Sequence, residues 1–180
     1  MFNLPNCLTL TRICAAPLVV VLLYYEGPFT CFGAASLFTL ASVTDMLDGH
    51  IARRDNLVTN FGKFLDPLAD KVLICSVLIM LTHLKWISAW ITIVIVCREL
   101  LVTGLRAMAA DEGIVLAADK FGKWKTTLQV IAVVPLTIHY PVLGLDMHGI
   151  GLFLLYIALA LTVVSGINYI YAYYRNVTPG

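Results

Sequence analysis

Long apolar runs alternate with short polar segments along this chain, and the runs predict six helices. The first helix should begin before Thr9 and end near Glu26, where Gly27 and Pro28 predict a tight turn. The other helices are expected over residues 29–53, 60–82, 86–108, 126–140 and 149–174. Residues 111–125 contain three lysines and two glycines, so we interpret them as an interfacial loop that leads into the fifth helix.

The third predicted helix is informative because its uncharged part is too short to cross a bilayer. The eleven residues 72–82 are free of acidic and basic groups, but a crossing helix needs about 20 residues. Residues 60–71 must then also lie at membrane depth. Ionisable groups at that depth are costly and are usually functional. We therefore expect Asp66, Asp70 and Lys71 to line a polar cavity between helices.

The composition supports a membrane location for the helices. Hydrophobic residues make up 60% of the chain and charged residues 13%, whereas soluble domains average about 45–50% and about 25%. The sequence contains no soluble domain, internal repeat or low-complexity linker, so we interpret residues 1–180 as a single membrane domain. Five cysteines without paired spacing indicate small buried side chains, not a disulfide framework or a metal site.

The placement of basic residues predicts the orientation in the membrane. A cytoplasmic N-terminus puts nine of the twelve Lys and Arg residues on the cytoplasmic side, as the positive-inside rule requires. These nine are Arg12, Arg53, Arg54, Lys63, Arg106, Lys120, Lys123, Lys125 and Arg175. We therefore predict an all-α integral membrane protein, a bundle of six transmembrane helices whose polar cavity and both termini face the cytoplasm. The net charge of +1 gives no indication of a nucleic-acid partner.

Residues 45–70 concentrate four carboxylates at helical spacing. Asp45 and Asp48 stand at i and i+3, and Asp66 and Asp70 at i and i+4, so each pair predicts one stripe of a helix. The linker 54–60 is short, so the two helices should be antiparallel neighbours with facing acidic stripes. Converging carboxylates repel unless protons or cations intervene. A set of oxygen donors without Cys or His favours Mg²⁺ or Mn²⁺ over zinc.

The full spacing of this segment is D-x2-D-G-x2-A-R-x8-G-x3-D-x3-D. It resembles, at all eight positions, the signature of the CDP-alcohol phosphotransferases, integral membrane enzymes of phospholipid synthesis. The resemblance implies two Mg²⁺ or Mn²⁺ ions, with Asp45 and Asp66 bridging both, Asp48 completing one site and Asp70 at the other. It also implies that Asp70 is the catalytic base that accepts the proton of the incoming alcohol.

The same resemblance implies a site for CDP-diacylglycerol. Gly49 and Ala52 carry little or no side chain, which lets a nucleotide pack on the helix. By family analogy Arg53 contacts the pyrophosphate, and the remaining nucleotide-site residues are Asn6, Thr9, Thr59 and Gly62. Without the resemblance, Asn6 and Thr9 are equally well explained as caps of the first helix. Family analogy also implies a homodimer.

A second basic set consists of Arg98, Arg106, Lys123 and Lys125. A buried Arg98 needs a partner, which could be Glu99, an acidic motif residue or a bound phosphate. The strings CRELLVTGLRAMA and FGKWKTT resemble segments of the bacterial family members that act on sn-glycerol 3-phosphate. The resemblance implies transfer of a phosphatidyl group from CDP-diacylglycerol to that acceptor, with release of CMP, at the bacterial inner membrane. A phosphorylated acceptor also explains the surplus of cations.

Three alternatives remain open at this stage. Another acceptor alcohol, such as inositol phosphate, serine or phosphatidylglycerol, would use the same eight-residue signature. Lys123 and Lys125 would also follow from the positive-inside rule alone. A cation transporter is a third reading, but it predicts acids at several depths, whereas the four aspartates lie together on the cytoplasmic side.

Overall fold

The computed structural model describes the backbone of residues 4–54, 60–111 and 120–177, and the side chains of residues 10–44, 68–69, 71–110 and 124–175. Within these residues the fold is all helical, with six α-helices and no strand beyond one isolated bridge between Val142 and Leu145. The helices are α1 Leu4–Tyr24, α2 Pro28–Arg54, α3 Asn60–His83, α4 Ala89–Asp111, α5 Lys120–Ile138 and α6 Met147–Val177. The predicted number and order of helices are confirmed.

Turn chemistry fixes the ends of the helices. Gly27 precedes Pro28, the first residue of α2, where the missing N–H of proline is not needed by the helix. The Gly27 N–H donates to Thr30 Oγ1 over 3.0 Å, and the Thr30 hydroxyl donates back to the Gly27 carbonyl over 2.8 Å. These two hydrogen bonds close the predicted turn between α1 and α2.

The connection between α3 and α4 differs from the prediction by a few residues. Lys85 has a φ of 61°, and the Trp86 N–H donates to the Leu81 carbonyl over 3.0 Å. This pattern is a Schellman motif, which ends α3. Trp86 therefore belongs to the turn, and α4 begins at Ala89 instead of residue 86.

The start of α5 was predicted wrongly. Residues 120–125 were assigned to a loop because they contain three lysines and a glycine, but α5 begins at Lys120. Lys125 is buried to 2% exposure and is paired with Glu99 of α4. A partner from another helix therefore satisfies one of the three lysine charges that made this segment look like a loop.

The helices pack in two groups, α1–α2–α3 and α4–α5–α6. In the described part of the chain α1 packs against both α2 and α3, and α6 packs against both α5 and α4. Additional contacts join α2 to α5, and α3 to α4 and α5. Helices α5 and α6 approach each other closely, since a Cβ on Gly151 would lie 2.8 Å from the Leu136 backbone nitrogen. Only glycine fits there.

One helix, Met147–Arg175, is long and apolar enough by length and composition to cross a membrane, judged over the described residues. Large apolar side chains also point away from the bundle on every helix. Examples are Leu18, Phe29, Leu40, Ile79, Ile93, Ile131 and Phe153. An outer surface this rich in apolar groups is unusual for a soluble monomer.

Candidate active site

The four predicted metal-binding aspartates lie on the two helices that flank linker 55–59. Asp45 and Asp48 belong to the last turns of α2, and Asp66 and Asp70 to the first half of α3. The backbone is helical at both pairs, so the i, i+3 and i, i+4 spacings hold. α2 and α3 contact each other. The four carboxylates lie outside the side chains that the structure describes, so their convergence stays a prediction.

The donor chemistry fits a hard divalent cation, because four carboxylates and no thiol or imidazole occupy these positions. Among the described side chains, no group of three or more His, Cys, Asp or Glu residues is placed to hold a metal ion.

Most of the predicted nucleotide-site residues lie on the same helices as the aspartates. Gly49, Ala52 and Arg53 belong to α2 and Gly62 to α3, but their side chains are outside the described set, and Thr59 lies outside the described backbone. α1 begins at Leu4, so Asn6 and Thr9 lie inside that helix. Their positions therefore do not support the reading that these two residues cap α1.

The structure brings two of the four predicted acceptor-site cations together around Glu99. Lys125 Nζ forms an ion pair with Glu99 Oε1, and Arg98 Nη1 lies 3.5 Å from the same oxygen. The side chains of Arg98 and Glu99 are 11% and 10% exposed. Glu99 is therefore one of the partners of Arg98, as the sequence allowed.

A third helix completes the surroundings of Arg98. Arg98 Nη2 donates to Ser165 Oγ of α6 over 2.6 Å, and the guanidinium carbon lies 5.7 Å from the centre of the Tyr169 ring. Arg98 Nε is buried and has no hydrogen-bond partner among the described residues. The guanidinium is thus held on several sides and retains an unused donor.

The other two predicted cations are placed differently. Arg106 lies two turns beyond Arg98 on α4 and is exposed. Lys123 belongs to the first turn of α5, but its side chain is outside the described set. The structure therefore joins Arg98 to Lys125 and leaves the relation of Arg106 and Lys123 to that pair as a prediction.

Sequence reasoning missed the polar residues that continue this cluster into the bundle. Gln129 Nε2 donates to Thr162 Oγ1 over 3.2 Å, and both side chains are buried. Gln129 follows Lys125 at i+4, and Ser165 follows Thr162 at i+3. Polar residues at helical spacing inside apolar runs were the available signal for a buried polar stripe.

The burial of Arg12 was also not predicted from the sequence. This residue was used only to count charges on the cytoplasmic side, yet it is 4% exposed on α1, the helix that packs against both motif-bearing helices. Burial of an arginine in such a chain is a sign of a specific role.

A cavity of about 550 Å³ lies at the other end of α3. Thr82, Lys85, Trp86, His148 and Tyr156 are among the residues that line it. Thr82 is twelve residues beyond Asp70, about 18 Å along the helix axis. This cavity is therefore separate from the acidic motif.

Comparison with known proteins agrees with the motif. A family model described as CDP-alcohol phosphatidyltransferase matches residues 2–164, so the chain belongs to that family. Among curated relatives, the chain is 44% identical to a CDP-diacylglycerol–glycerol-3-phosphate 3-phosphatidyltransferase of Bacillus subtilis over 94% of both chains. It is 41% identical to the protein of that name in Rickettsia bellii, over 93% of both chains. The Escherichia coli K12 protein of the same name is 38% identical over 95% of this chain and 94% of its own.

Proposed function

We propose that this protein transfers the phosphatidyl group of CDP-diacylglycerol to sn-glycerol 3-phosphate, giving phosphatidylglycerophosphate and CMP. The observation that carries the proposal is near full-length similarity, at 38–44% identity, to curated bacterial enzymes named for that reaction. The eight-position motif and the buried Arg98–Glu99–Lys125 cluster support it, since they supply the two kinds of charge that the reaction needs.

The reaction joins a hydroxyl of the acceptor to the phosphorus that carries the diacylglycerol. The new P–O bond forms as the pyrophosphate P–O bond breaks, and CMP leaves with the bonding electrons. In this proposal Asp70 accepts the hydroxyl proton. Gly49 and Ala52 leave room for the nucleotide, Arg53 contacts its pyrophosphate, and Asn6, Thr9, Thr59 and Gly62 complete that site.

Divalent-metal dependence is general in the family. We assign two Mg²⁺ or Mn²⁺ ions to Asp45, Asp48, Asp66 and Asp70, whose carboxylate oxygens would hold them. Bound there, the ions would neutralise charge that develops on the phosphoryl oxygens.

The acceptor phosphate is assigned to the basic set of α4 and α5. Arg98, Arg106 and Lys123 are its proposed ligands, and Lys125 belongs to the same set. A guanidinium already held by Glu99 and Ser165 loses little freedom when it binds an anion. A neutral acceptor such as serine would not require this charge.

We further propose that all six helices span the bacterial inner membrane as a bundle around a cavity open to the cytoplasm, with both termini cytoplasmic. Apolar side chains facing outward on every described helix and the distribution of basic residues support this arrangement. Cysteine labelling should find residues 54–60 and 111–120 on the cytoplasmic side, and Lys85 and Asp146 outside. An external linker 54–60 would contradict the orientation. A homodimer is proposed from family analogy, and a crosslinking measurement in membranes tests it.

The decisive experiment measures CMP release from CDP-diacylglycerol in membranes that contain the protein. Glycerol 3-phosphate, inositol phosphate, serine and phosphatidylglycerol are offered separately, with vector-only membranes as the control. Release that depends on glycerol 3-phosphate alone is expected. Release with another acceptor would change the proposed substrate, and no release with any acceptor would reopen the transporter reading.

A further inference from the structure

The charges around Glu99 do not balance within the described residues. Arg98 and Lys125 contribute two cations and Glu99 one carboxylate, and the three side chains are between 3% and 11% exposed. Placing charge at such depth is unfavourable unless each charge is compensated. One positive charge is left over in this described cluster, which suits an anionic ligand.

Lys125 and Arg98 share Glu99 unequally. Lys125 is 2% exposed and makes the shorter contact with Glu99 Oε1, so its ammonium is engaged. Arg98 touches the same oxygen at 3.5 Å and has Nε unpaired among the described residues. Arg98 is therefore the cation of the pair with donor capacity to spare.

Two residues of α6 lie against the Arg98 side chain. Ser165 accepts from Nη2 at 2.6 Å, and a Cβ on the neighbouring Gly166 would lie 3.1 Å from Arg98 Cγ and 3.7 Å from Nε. A contact of 3.1 Å would require the arginine stem to shift by a few tenths of an ångström. Gly166 thus leaves the space that the arginine stem occupies.

We propose that Glu99 and Gly166 are positioning residues for the acceptor phosphate, because Glu99 contacts the guanidinium of Arg98 and Gly166 leaves the space that the arginine stem needs. Lys125 then acts by occupying Glu99 and not as a direct phosphate ligand. The inference rests on the proposed function and refines it. A preorganised guanidinium binds an anion more tightly than a mobile one because less side-chain freedom is lost on binding.

The substitution Glu99→Gln separates positioning from simple charge attraction. It keeps the size of the side chain but raises the net charge of the cluster by one. Charge attraction alone predicts a lower KM for glycerol 3-phosphate. Loss of positioning predicts a KM that rises about tenfold, as expected when a charged hydrogen bond is misplaced, while the KM for CDP-diacylglycerol is unchanged.

Two unpaired buried cations could prevent Glu99→Gln from folding, so Gly166→Ala provides a second test with every charge retained. Its added methyl group should displace Arg98 and raise the KM for glycerol 3-phosphate several-fold. Gly104→Ala on α4 is the matched control, since a Cβ there meets nothing within 4 Å. The control should leave both Michaelis constants unchanged.

The measurements use the full chain in one detergent or lipid mixture, with the wild type in parallel. A rise confined to the glycerol 3-phosphate KM in Gly166→Ala, and in Glu99→Gln if it folds, supports the inference. An unchanged or lower KM in either folded variant overturns it, as does an equal change for both substrates. A wild type without glycerol 3-phosphate activity would instead overturn the proposed function.

Discussion

The two helix groups of this molecule bury different kinds of side chain. The residues that α1, α2 and α3 contribute to the described core are mostly small or apolar, including Ala15, Ala16, Val19, Cys31, Ala34, Phe38 and Val77. Where α4, α5 and α6 meet, it also contains Glu99, Lys125, Gln129, Thr162 and Ser165. Arg12 is the exception in the first group.

This difference distinguishes helices that mainly hold the bundle together from helices that also carry buried charged groups. Small apolar residues let helices approach closely and gain dispersion contacts, which is sufficient to hold a bundle in lipid. Buried charges add little to stability and are retained where a function needs them. We therefore interpret the described part of the α1–α2–α3 group as scaffold for the acidic motif, and the α4–α5–α6 group as a binding region for an anion.

Removing divalent cations should have the largest effect on activity. If Asp45, Asp48, Asp66 and Asp70 hold two ions, EDTA should reduce CMP release to background, and added Mg²⁺ or Mn²⁺ should restore it. A parallel sample that receives EDTA already saturated with the cation controls for the chelator itself. Full activity in excess EDTA would contradict a metal centre at the ends of α2 and α3.

Asp70→Asn should lower turnover by on the order of 10²-fold or more, because the amide keeps the shape of the side chain but cannot accept the proton. Asp48→Asn is the comparison, since Asp48 is assigned as a metal ligand only. Raising the metal concentration should rescue Asp48→Asn better than Asp70→Asn in the CMP-release measurement. Equal rescue would remove the distinction between base and ligand.

Arg106→Ala and Lys123→Ala test how far the anion-binding region extends beyond the buried cluster. Each removes a charged hydrogen bond to the acceptor phosphate worth about 1.5–3 kcal/mol, so the KM for glycerol 3-phosphate should rise about ten- to a hundredfold. The KM for CDP-diacylglycerol, measured in the same detergent, should stay nearly constant. Parallel weakening of both substrates would assign these cations to structure or to the nucleotide site.

Phe38→Ala should affect stability without changing recognition. Phe38 is fully buried in the α1–α2–α3 group, and removing a buried phenylalanine ring costs about 3–5 kcal/mol of unfolding free energy. Leu40→Ala, an exposed position on the same helix, is the matched control. Thermal unfolding in detergent should report a large loss for Phe38→Ala and a small one for Leu40→Ala. A changed KM for either substrate in the surviving enzyme would mean that this interface is more than scaffold.

Local sequence determined the helices well because each apolar run is bounded by residues with strong turn preferences. Gly27 and Pro28 stand at the start of α2, and the observed helices match the predicted order. The errors fall where the local signal is ambiguous. Residue 86 was assigned to a helix because Trp86 is apolar, but Lys85 adopts a positive φ and the chain turns there.

The motif spacing and the basic set were also available from sequence, because chemistry at a helical period can be recognised without coordinates. The apolar run around Arg98 could identify it as a buried charge that needs a partner. The sequence could not show whether that partner is Glu99, a motif aspartate or a bound phosphate, because the answer depends on which helices pack together.

What the sequence by itself determined is therefore the helical order, the family motif and the types of charge that the protein carries. Only the tertiary structure decided that Lys125, 26 residues beyond Glu99, is its ion-pair partner, and that Ser165 and Gly166 of α6 enclose Arg98. The physical reason is that helix formation depends on neighbours three or four residues apart, whereas the pairing of a buried charge depends on side chains that other helices bring to it.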